Sequence, residues 1–164
     1  MDKKYIIDSN ILISSSRRFY PFDIMPGFWR QFLDKIDGKV VLIDKVKEEI
    51  FNGDDELSDW LRENQACFIQ KNMSDIEVIN AYSRIIQKVA DNPHYSEAAK
   101  EEFARVADSW ICAHALAHKY VVVTEETYDP NSKKRVKIPN ICKDYEIEYI
   151  DMLRFFRDIE VKIL

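Results

Sequence analysis

Short apolar runs recur along this chain, and stretches with helical periodicity separate them. Residues 39–43 (Lys-Val-Val-Leu-Ile) and 120–124 (Tyr-Val-Val-Val-Thr) are rich in β-branched side chains and do not alternate between polar and apolar positions. Continuous apolar strands of this kind are typical of a parallel sheet that is covered on both faces. Strands that repeatedly alternate with helices therefore predict an α/β fold with helices on both sides of the sheet.

The boundaries of the predicted elements follow from the spacing of apolar residues and from capping and breaking residues. The chain has 164 residues and no internal repeat, low-complexity segment or linker, so a single domain spanning residues 1–164 is expected. A polar loop is expected at residues 125–139. Strands are expected at residues 5–13, 39–43, 67–69, 120–124 and 147–150, and helices at 27–36, 45–51, 54–64, 74–90, 96–118 and 152–157.

Composition and charge exclude several classes of protein. No apolar run approaches the ~20 residues of a membrane helix, and the N-terminal residues lack the features of a signal peptide. A cytoplasmic protein with no membrane partner is therefore expected, and the odd number of cysteines, three, fits a reducing compartment. The net charge of −5 argues against a protein that coats nucleic acid, but not against an enzyme with a local basic surface. The absence of a glycine-rich phosphate loop from the sequence excludes P-loop and dinucleotide-binding proteins.

Asp8 interrupts the first apolar run, residues 5–13, near the carboxyl end of its predicted strand. Removing a carboxylate from water is costly unless a partner compensates for the lost hydration. A metal ion is one such partner, since sites in parallel sheets form at the carboxyl ends of the strands. The alternative is a turn in which Asp8 bonds its own backbone with help from Ser9 and Asn10.

Two further acids lie next to apolar helix faces. At 100° per residue, Glu49 lies within about 80° of the line through Val46 and Ile50, whereas Glu48 points into solvent. Asp108 has only small or apolar residues at the neighbouring positions of its helix face, so its own helix offers no basic partner. Both acids are candidates for a shared site. The alternatives are a solvated charge for Glu49 and an ion pair with another element for Asp108.

A fourth acid is expected just after the strand at residues 120–124, and the sequence leaves its identity open among Glu125, Glu126 and Asp129. Thr124, at the end of that strand, could orient a water molecule or an acid. Clustered carboxylates repel one another unless a cation screens them. Oxygen ligands without histidine or cysteine point to Mg²⁺ or Mn²⁺, as one ion or two, rather than to zinc.

A zinc site is the competing idea, because His114 and His118 lie four residues apart on one predicted helix. The glutamate of an H-E-x-x-H motif is missing, and His94 lies in a different segment. The sequence therefore does not favour zinc.

The order of these acids and their local sequences resemble the PIN domain family over nearly the whole chain. Tyr5-Ile6-Ile7-Asp8-Ser9-Asn10 looks like the family's opening strand, which is an apolar run followed by Asp-Thr/Ser-Asn. Lys47-Glu48-Glu49-Ile50 is similar to the helix that supplies the family's glutamate, and residues 107–115 are similar to its Ala-Asp-x-x-Ile-x-Ala-x-Ala helix. Residues 121–126 are similar to the strand ending in Thr-x-Asp, with Glu126 where aspartate is usual. Residues 138–142 resemble the VapC-like PIN subgroup that is found beside small DNA-binding proteins in prokaryotic toxin–antitoxin loci.

The resemblance implies a PIN-like three-layer α/β/α sandwich with four to five parallel strands. It also implies Mg²⁺- or Mn²⁺-dependent endoribonuclease activity, in the toxin of a type II toxin–antitoxin pair. The substrate would be RNA and the partner a cognate antitoxin. Apart from the resemblance, the apolar face of the helix at 74–90 could be either the face of a homodimer or plain core. A metal-bound water would attack the RNA phosphodiester. The metal would be held by Asp8, Glu49, Asp108 and Glu126, and these acids would be oriented by Ser9, Asn10 and Thr124.

Basic residues follow two of the predicted strands, at the same end of the sheet as the acids. They are expected to flank the pocket and to steer a phosphate backbone, with solvated loop charges as the alternative. The residues are Arg17, Arg18, Lys133, Lys134, Arg135 and Lys137.

Two other functions remain open from the sequence. The first is a non-catalytic PIN-like module that binds RNA or protein. The second is a phosphotransfer domain with Asp8 as the nucleophile. Such a domain would require a second aspartate two residues later, but that position is Asn10.

Overall fold

A sheet of five parallel strands lies at the centre of the fold. The structure, a computed structural model, describes residues 2–163. The strands are β1 (Tyr5–Ile7), β2 (Val40–Ile43), β3 (Ile69–Lys71), β4 (Val121–Val123) and β5 (Tyr149–Ile150), and their order in the sheet is β3-β2-β1-β4-β5.

Helices cover both faces of this sheet, and a π-helical segment (Ser15–Phe19) and a 3₁₀ turn (Gln65–Cys67) accompany them. The predicted α/β/α sandwich with a parallel sheet of four to five strands is confirmed. Within residues 2–163 the helices are α1 (Ser9–Ser14), α2 (Pro26–Ile36), α3 (Asp44–Asn52), α4 (Glu56–Asn64), α5 (Ile76–Ala90), α6 (Glu97–Arg105), α7 (Ala107–His118), α8 (Ile138–Asp144) and α9 (Met152–Asp158).

The strand order creates a crevice between β1 and β4. The chain places β1, β2 and β3 side by side toward one edge, and then returns to add β4 beside β1 and β5 beyond it. The order reverses between β1 and β4, and ligand sites in such sheets form at the carboxyl ends of the strands at this point. Asp8 directly follows β1 and Thr124 directly follows β4, so the fold brings both residues to the crevice.

Aromatic side chains join α2, α4 and α9 into one layer. Phe32 of α2 lies with its ring centroid 6.2 Å from that of Phe156 in α9 and 6.3 Å from that of Trp60 in α4. The α9 residue Phe155 reaches Tyr5 of β1 at 5.4 Å. Such pairs add to the free energy gained by burying the rings. This layer therefore packs the sheet against α2, α4 and α9, three helices that carry none of the predicted site residues.

The most deeply packed helix is α7, which contacts β1 and β4 as well as α3, α5, α6 and α8. A helix with apolar residues all round is a buried helix. Small side chains allow the sheet and the neighbouring helices to approach α7 closely. The buried residues of α7 are Ala107, Ser109, Ile111, Cys112, Ala113, His114 and Ala115.

The first predicted strand was too long. Instead of continuing to residue 13, β1 ends at Ile7, and the chain then enters α1. Asp8 has an extended backbone (φ −72°, ψ 144°) and occupies the N-cap position of that helix. Ile11 is buried from the helix, so the apolar run still supplies the core. Periodicity cannot distinguish a short buried strand from a short buried helix, which is why the prediction was wrong beyond Ile7.

The predicted helix at residues 96–118 is two helices. Val106 adopts an extended conformation (φ −97°, ψ 171°) between α6 and α7. The break leaves the N–H of Ala107 free of a helical partner, and this group donates a hydrogen bond to Oε1 of Glu49 at 3.4 Å. A partner from a distant helix thus compensates for the break, and no local sequence pattern reveals it.

Other boundaries differ by smaller amounts. The predicted loop at 125–139 is shorter, because α8 begins at Ile138 with Pro139 in its first turn, where a fixed proline φ is tolerated. Ser96 caps α6, and its Oγ accepts a hydrogen bond from the backbone N–H of Ala99 at 3.1 Å. Among the helices formed by residues 2–163, none has both the length and the apolar character that crossing a membrane requires.

Candidate functional site

Asp8 lies at the floor of the crevice between β1 and β4. Its side chain is buried with the residue only 2% exposed. Its Oδ2 accepts a hydrogen bond from the Thr124 hydroxyl at 3.3 Å, and its backbone N–H donates to the carbonyl of Val123 at 3.1 Å. The ends of β1 and β4 are thus fixed to each other around this carboxylate.

Asp108 faces the same crevice from the first turn of α7. The extended residue Val106 sets this position, since α7 begins directly after it. The N-terminal end of a helix carries partial positive charge and stabilises a carboxylate there. The side chain of Asp108 is only 16% exposed, so it is largely removed from water.

Glu49 connects three helices at the rim of the crevice. Its Oε2 accepts a hydrogen bond from the Ser9 hydroxyl of α1 at 2.6 Å, and its Oε1 accepts from the N–H of Ala107 in α7. Glu48 points away, with its side chain 62% exposed and paired with Lys45 at 3.8 Å. The structure therefore separates the two adjacent glutamates as their helical positions predict.

Glu126 is the acid after β4 that faces the other carboxylates. Its backbone N–H donates to the Thr124 hydroxyl at 3.1 Å, and its side chain is only 11% exposed. Glu125 points elsewhere and accepts a hydrogen bond from the N–H of Met152 at 2.6 Å, at the start of α9. Asp129 accepts from the backbone N–H of its own turn. Glu126 is therefore the fourth acid of this cluster.

Like charges and burial act together on these acids. Burial, followed by the negative charge of Glu126, raises the pKa of Asp8 from its ordinary 3.8 to about 6. Burial and the charge of Asp8 raise the pKa of Asp108 to about 8, although the Arg135 guanidinium opposes the rise. Hydrogen bonds from the Asn10 N–H and the Thr124 hydroxyl favour the ionised form of Asp8 but do not cancel the effect. The cluster carries more negative charge than its surroundings neutralise.

A cavity of about 570 Å³ opens onto the cluster. Its polar lining is made of carboxylate, hydroxyl and amide oxygens together with two basic side chains, a donor set that suits a hard cation such as Mg²⁺ or Mn²⁺. Within residues 2–163, no three of the cavity acids bring their carboxylate oxygens within 4.8 Å of one another. Their oxygens are therefore further apart than those of ligands around one ion. The polar lining residues are Asp8, Ser9, Asn10, Glu49, Glu102, Asp108, Lys134 and Arg135.

Arg135 and Lys134 are the predicted basic residues that line the cavity. Nη2 of Arg135 lies 3.2 Å from Oε2 of Glu126 and 3.7 Å from Oδ2 of Asp108. The Arg135 side chain is still 57% exposed, so it remains accessible to a ligand. This single guanidinium neutralises the acid cluster only in part.

The other predicted basic residues do not line the cavity. Arg17 pairs with Asp55 at 3.1 Å, and Lys137 contacts the Thr127 hydroxyl at 3.5 Å. Arg18 and Lys133 are exposed.

Sequence reasoning missed Glu102, which lines the cavity from α6 and pairs with Arg105. A continuous helix at 96–118 would place this residue differently, and the break at Val106 was the information that the sequence did not supply.

A family model described as a domain of unknown function, DUF4411, matches residues 5–163. The chain belongs to the DUF4411 family. A comparison with curated proteins gives no match.

Two solved structures share the fold of this DUF4411 chain. The first is DNA-bound VapBC from Salmonella typhimurium, with a TM-score of 0.54 and 14% identity, over 92% of this chain and 98% of the other. The second is VapBC2 from Rickettsia felis bound to a DNA fragment from their promoter, with a TM-score of 0.50 and 12% identity, over 90% of this chain and 97% of the other. At these identities the likeness is one of fold.

Proposed function

We propose that this DUF4411 chain is a PIN-like, divalent-metal-dependent endoribonuclease, and that it is the toxin of a toxin–antitoxin pair. The observation that carries the proposal is the set of acids at the carboxyl ends of β1 and β4. Asp8 and Asp108 approach there with the pKa of each raised by burial and by other acids. Perturbed carboxylates that share a cavity are characteristic of functional sites.

The residues present would hold a cation through carboxylate oxygens. Asp8, Glu49 and Asp108 are the proposed ligands, with Glu126 as the fourth acid. A bound Mg²⁺ or Mn²⁺ would supply activation of water and stabilisation of the charge on the phosphate. Ser9 orients Glu49 and Thr124 orients Asp8 through the hydrogen bonds described above. Asn10, exposed at the cavity wall, contributes its backbone N–H to Asp8.

Arg135 and Lys134 would contact the RNA backbone. Arg135 is accessible and lies within 4 Å of two acids, so a phosphate that enters the cavity meets this guanidinium at the edge of the cluster. We assign no direct RNA contact to Arg17, because it pairs with Asp55 away from the cavity lining.

The proposed partners follow from the same likeness of fold. The two solved structures are VapBC assemblies bound to DNA. We infer that this chain likewise has a small DNA-binding antitoxin as its partner, and that it acts as a single domain.

A second candidate is a non-catalytic module of the same fold. The observation in its favour is that Arg135 already occupies the space between Asp108 and Glu126, and that the cavity acids stand wider apart than metal ligands. Such a module would bind RNA or protein without needing the acids.

The test is cleavage of a defined RNA with Mn²⁺ and with EDTA, by wild type and by Glu49→Gln. We expect Glu49→Gln to lower the rate by about 100-fold or more, since one interaction with the transition state is worth that much. Glu48→Gln is the matched control, because it makes the same change one residue away in solvent, and its rate should equal that of wild type. Asp8→Asn and Asp108→Asn should abolish cleavage while circular dichroism shows a folded chain.

A substrate with 2′-O-methyl groups distinguishes this activity from contaminating ribonucleases. Hydrolysis by an activated water does not use the 2′-hydroxyl, so cleavage should persist on this substrate. Cleavage that survives in EDTA, or that Asp8→Asn retains, contradicts the proposal. Tight RNA or protein binding by the inactive variants, without cleavage by the wild type, favours the non-catalytic module.

A further inference from the structure

A second group of metal-binding side chains lies where the start of α5 meets the end of α7. Asp75 immediately precedes α5, Glu77 lies in its first turn, and His118 is the last residue of α7. One ligand atom from each of these residues lies within 4.8 Å of the other two. None of the three residues lines the acidic cavity.

The contacts within this group position its side chains. Nε2 of His118 lies 2.6 Å from Oδ2 of Asp75, and Nδ1 of His118 lies 3.9 Å from Oε2 of Glu77. Oδ1 of Asp75 accepts a hydrogen bond from the backbone N–H of Glu77 at 2.9 Å, which fixes the carboxylate at the start of α5. The side chains of His118, Asp75 and Glu77 are 30%, 38% and 68% exposed, so an ion from solvent can reach them.

His114, one turn before His118 on α7, supplies an independent observation. It is 1% exposed, and neither of its ring nitrogens has a hydrogen-bond partner. Buried polar atoms without partners are rare, because they lose their hydration without compensation. His114 and His118 share a helix face, and side chains lean toward the helix N-terminus, so His118 lies over the turn that carries His114. Burial, followed by the charge of His118, lowers the pKa of His114 to about 4, while the charges of Asp44 and Asp75 oppose the shift.

We propose that Asp75, Glu77 and His118 bind a borderline divalent transition-metal ion such as Zn²⁺, with His114 as a fourth ligand after a rotation of its ring. Imidazole and carboxylate are both ligands for this ion. The sequence disfavours zinc because the His114 and His118 pair lacks the glutamate of an H-E-x-x-H motif. The fold instead supplies two acids at the start of α5, Asp75 and Glu77. The ion replaces the hydrogen bond between Nε2 of His118 and Oδ2 of Asp75. It thereby ties α5 to α7, the helix that carries Asp108 at its opposite end.

The experiment is a titration of Zn²⁺ into the chain carrying Asp8→Asn and Asp108→Asn, which weaken the acidic cavity as a competing site. The side-chain ¹⁵N resonances of the three histidines report which ring meets the ion. We expect the His118 and His114 resonances to shift at stoichiometric Zn²⁺ while those of His94, an exposed residue outside the group, stay unchanged.

Calorimetry on matched variants completes the test. His118→Ala and Glu77→Gln should each weaken Zn²⁺ binding by about 10-fold or more, whereas His94→Ala should leave the affinity unchanged. Glu77 is largely exposed, so its amide variant removes a ligand without disturbing the core. Unchanged histidine resonances, or an affinity that His118→Ala does not alter, overturn the proposal and leave an ion pair between two helices. A shift of His118 without His114 supports the site and removes His114 from its ligands.

Discussion

Asp8 and Asp108 combine burial with unbalanced charge. Each carboxyl is largely removed from water and faces other acids, and the pKa of each is raised. Arg135 supplies a countercharge 3.7 Å from Asp108, but it is more than half exposed and lies closer to Glu126, at 3.2 Å. The charges of these acids are therefore balanced only in part, and this arrangement costs stability.

This cost predicts how the stability of the metal-free protein depends on pH. The folded pKa of Asp108 is about 8 and its ordinary value is 3.8, so between these values the folded state binds more protons than the unfolded state. The free energy of unfolding should therefore fall as the pH rises from about 4 to about 8. Asp108→Asn removes this penalty and should be more stable than wild type at pH 8 by on the order of 2–4 kcal/mol.

Urea unfolding in EDTA at pH 5 and pH 8 measures this difference. Glu48→Gln should behave as wild type at both values, since Glu48 is solvated. If the free energy of unfolding of the wild type rises between pH 5 and pH 8, the pKa of Asp108 is not raised in the folded state and the prediction is wrong.

Much of the candidate site could be predicted residue by residue, where the signal was local. Helix geometry separates Glu49 from Glu48, and the absence of a basic neighbour singles out Asp108. The choice of Glu126 over Glu125 came only from the family resemblance. The residues themselves left it open, because it depends on Met152, which lies far along the chain and whose N–H binds Glu125. The partner of Arg17, Asp55, was hidden for the same reason. Whether the acids bind metal is a prediction that the cleavage assay decides.

At the scale of elements, the errors fall where long-range contacts decide the backbone. The extended conformation of Val106 is compatible with the fold because Glu49, from α3, satisfies the N–H of Ala107. The turn from β1 into α1 depends on Asp8 leaving the strand at the crevice. Both features position site residues, so the sequence pattern was least reliable at the elements that build the site.

The aromatic layer of α2, α4 and α9 should support stability without touching the site. Phe32 is 1% exposed, and its replacement by alanine leaves a cavity that should cost about 3–5 kcal/mol of the free energy of unfolding. Phe19→Ala is the control, because Phe19 is 52% exposed and its loss should cost little. Chemical denaturation measures both values. An equal loss of unfolding free energy in the two variants would contradict a stabilising role for this layer. The affinity for Mn²⁺, measured at low temperature where both variants are folded, should be unchanged in both.

At the scale of the whole molecule, the alternation of strands and helices was enough to predict a parallel sheet covered on both faces. The strand order, and with it the crevice between β1 and β4, needed the structure. The net charge of the chain likewise does not reveal where individual charges lie in the fold. The chain carries a net charge of −5, yet Lys134 and Arg135 stand together at the acidic cavity.

This arrangement predicts weak RNA binding with a shallow dependence on salt. For single strands the slope of log K against log salt is about −0.7 for each phosphate neutralised, so contacts by Lys134 and Arg135 give about −1.4. Measured by fluorescence anisotropy on the inactive Asp8→Asn background, Arg135→Ala should reduce the slope to about −0.7. Arg17→Ala removes the same charge outside the cavity lining and should leave the slope unchanged. An equal effect of both variants would place RNA on a diffuse surface rather than at the acids, because only a contact at the cavity distinguishes these two arginines.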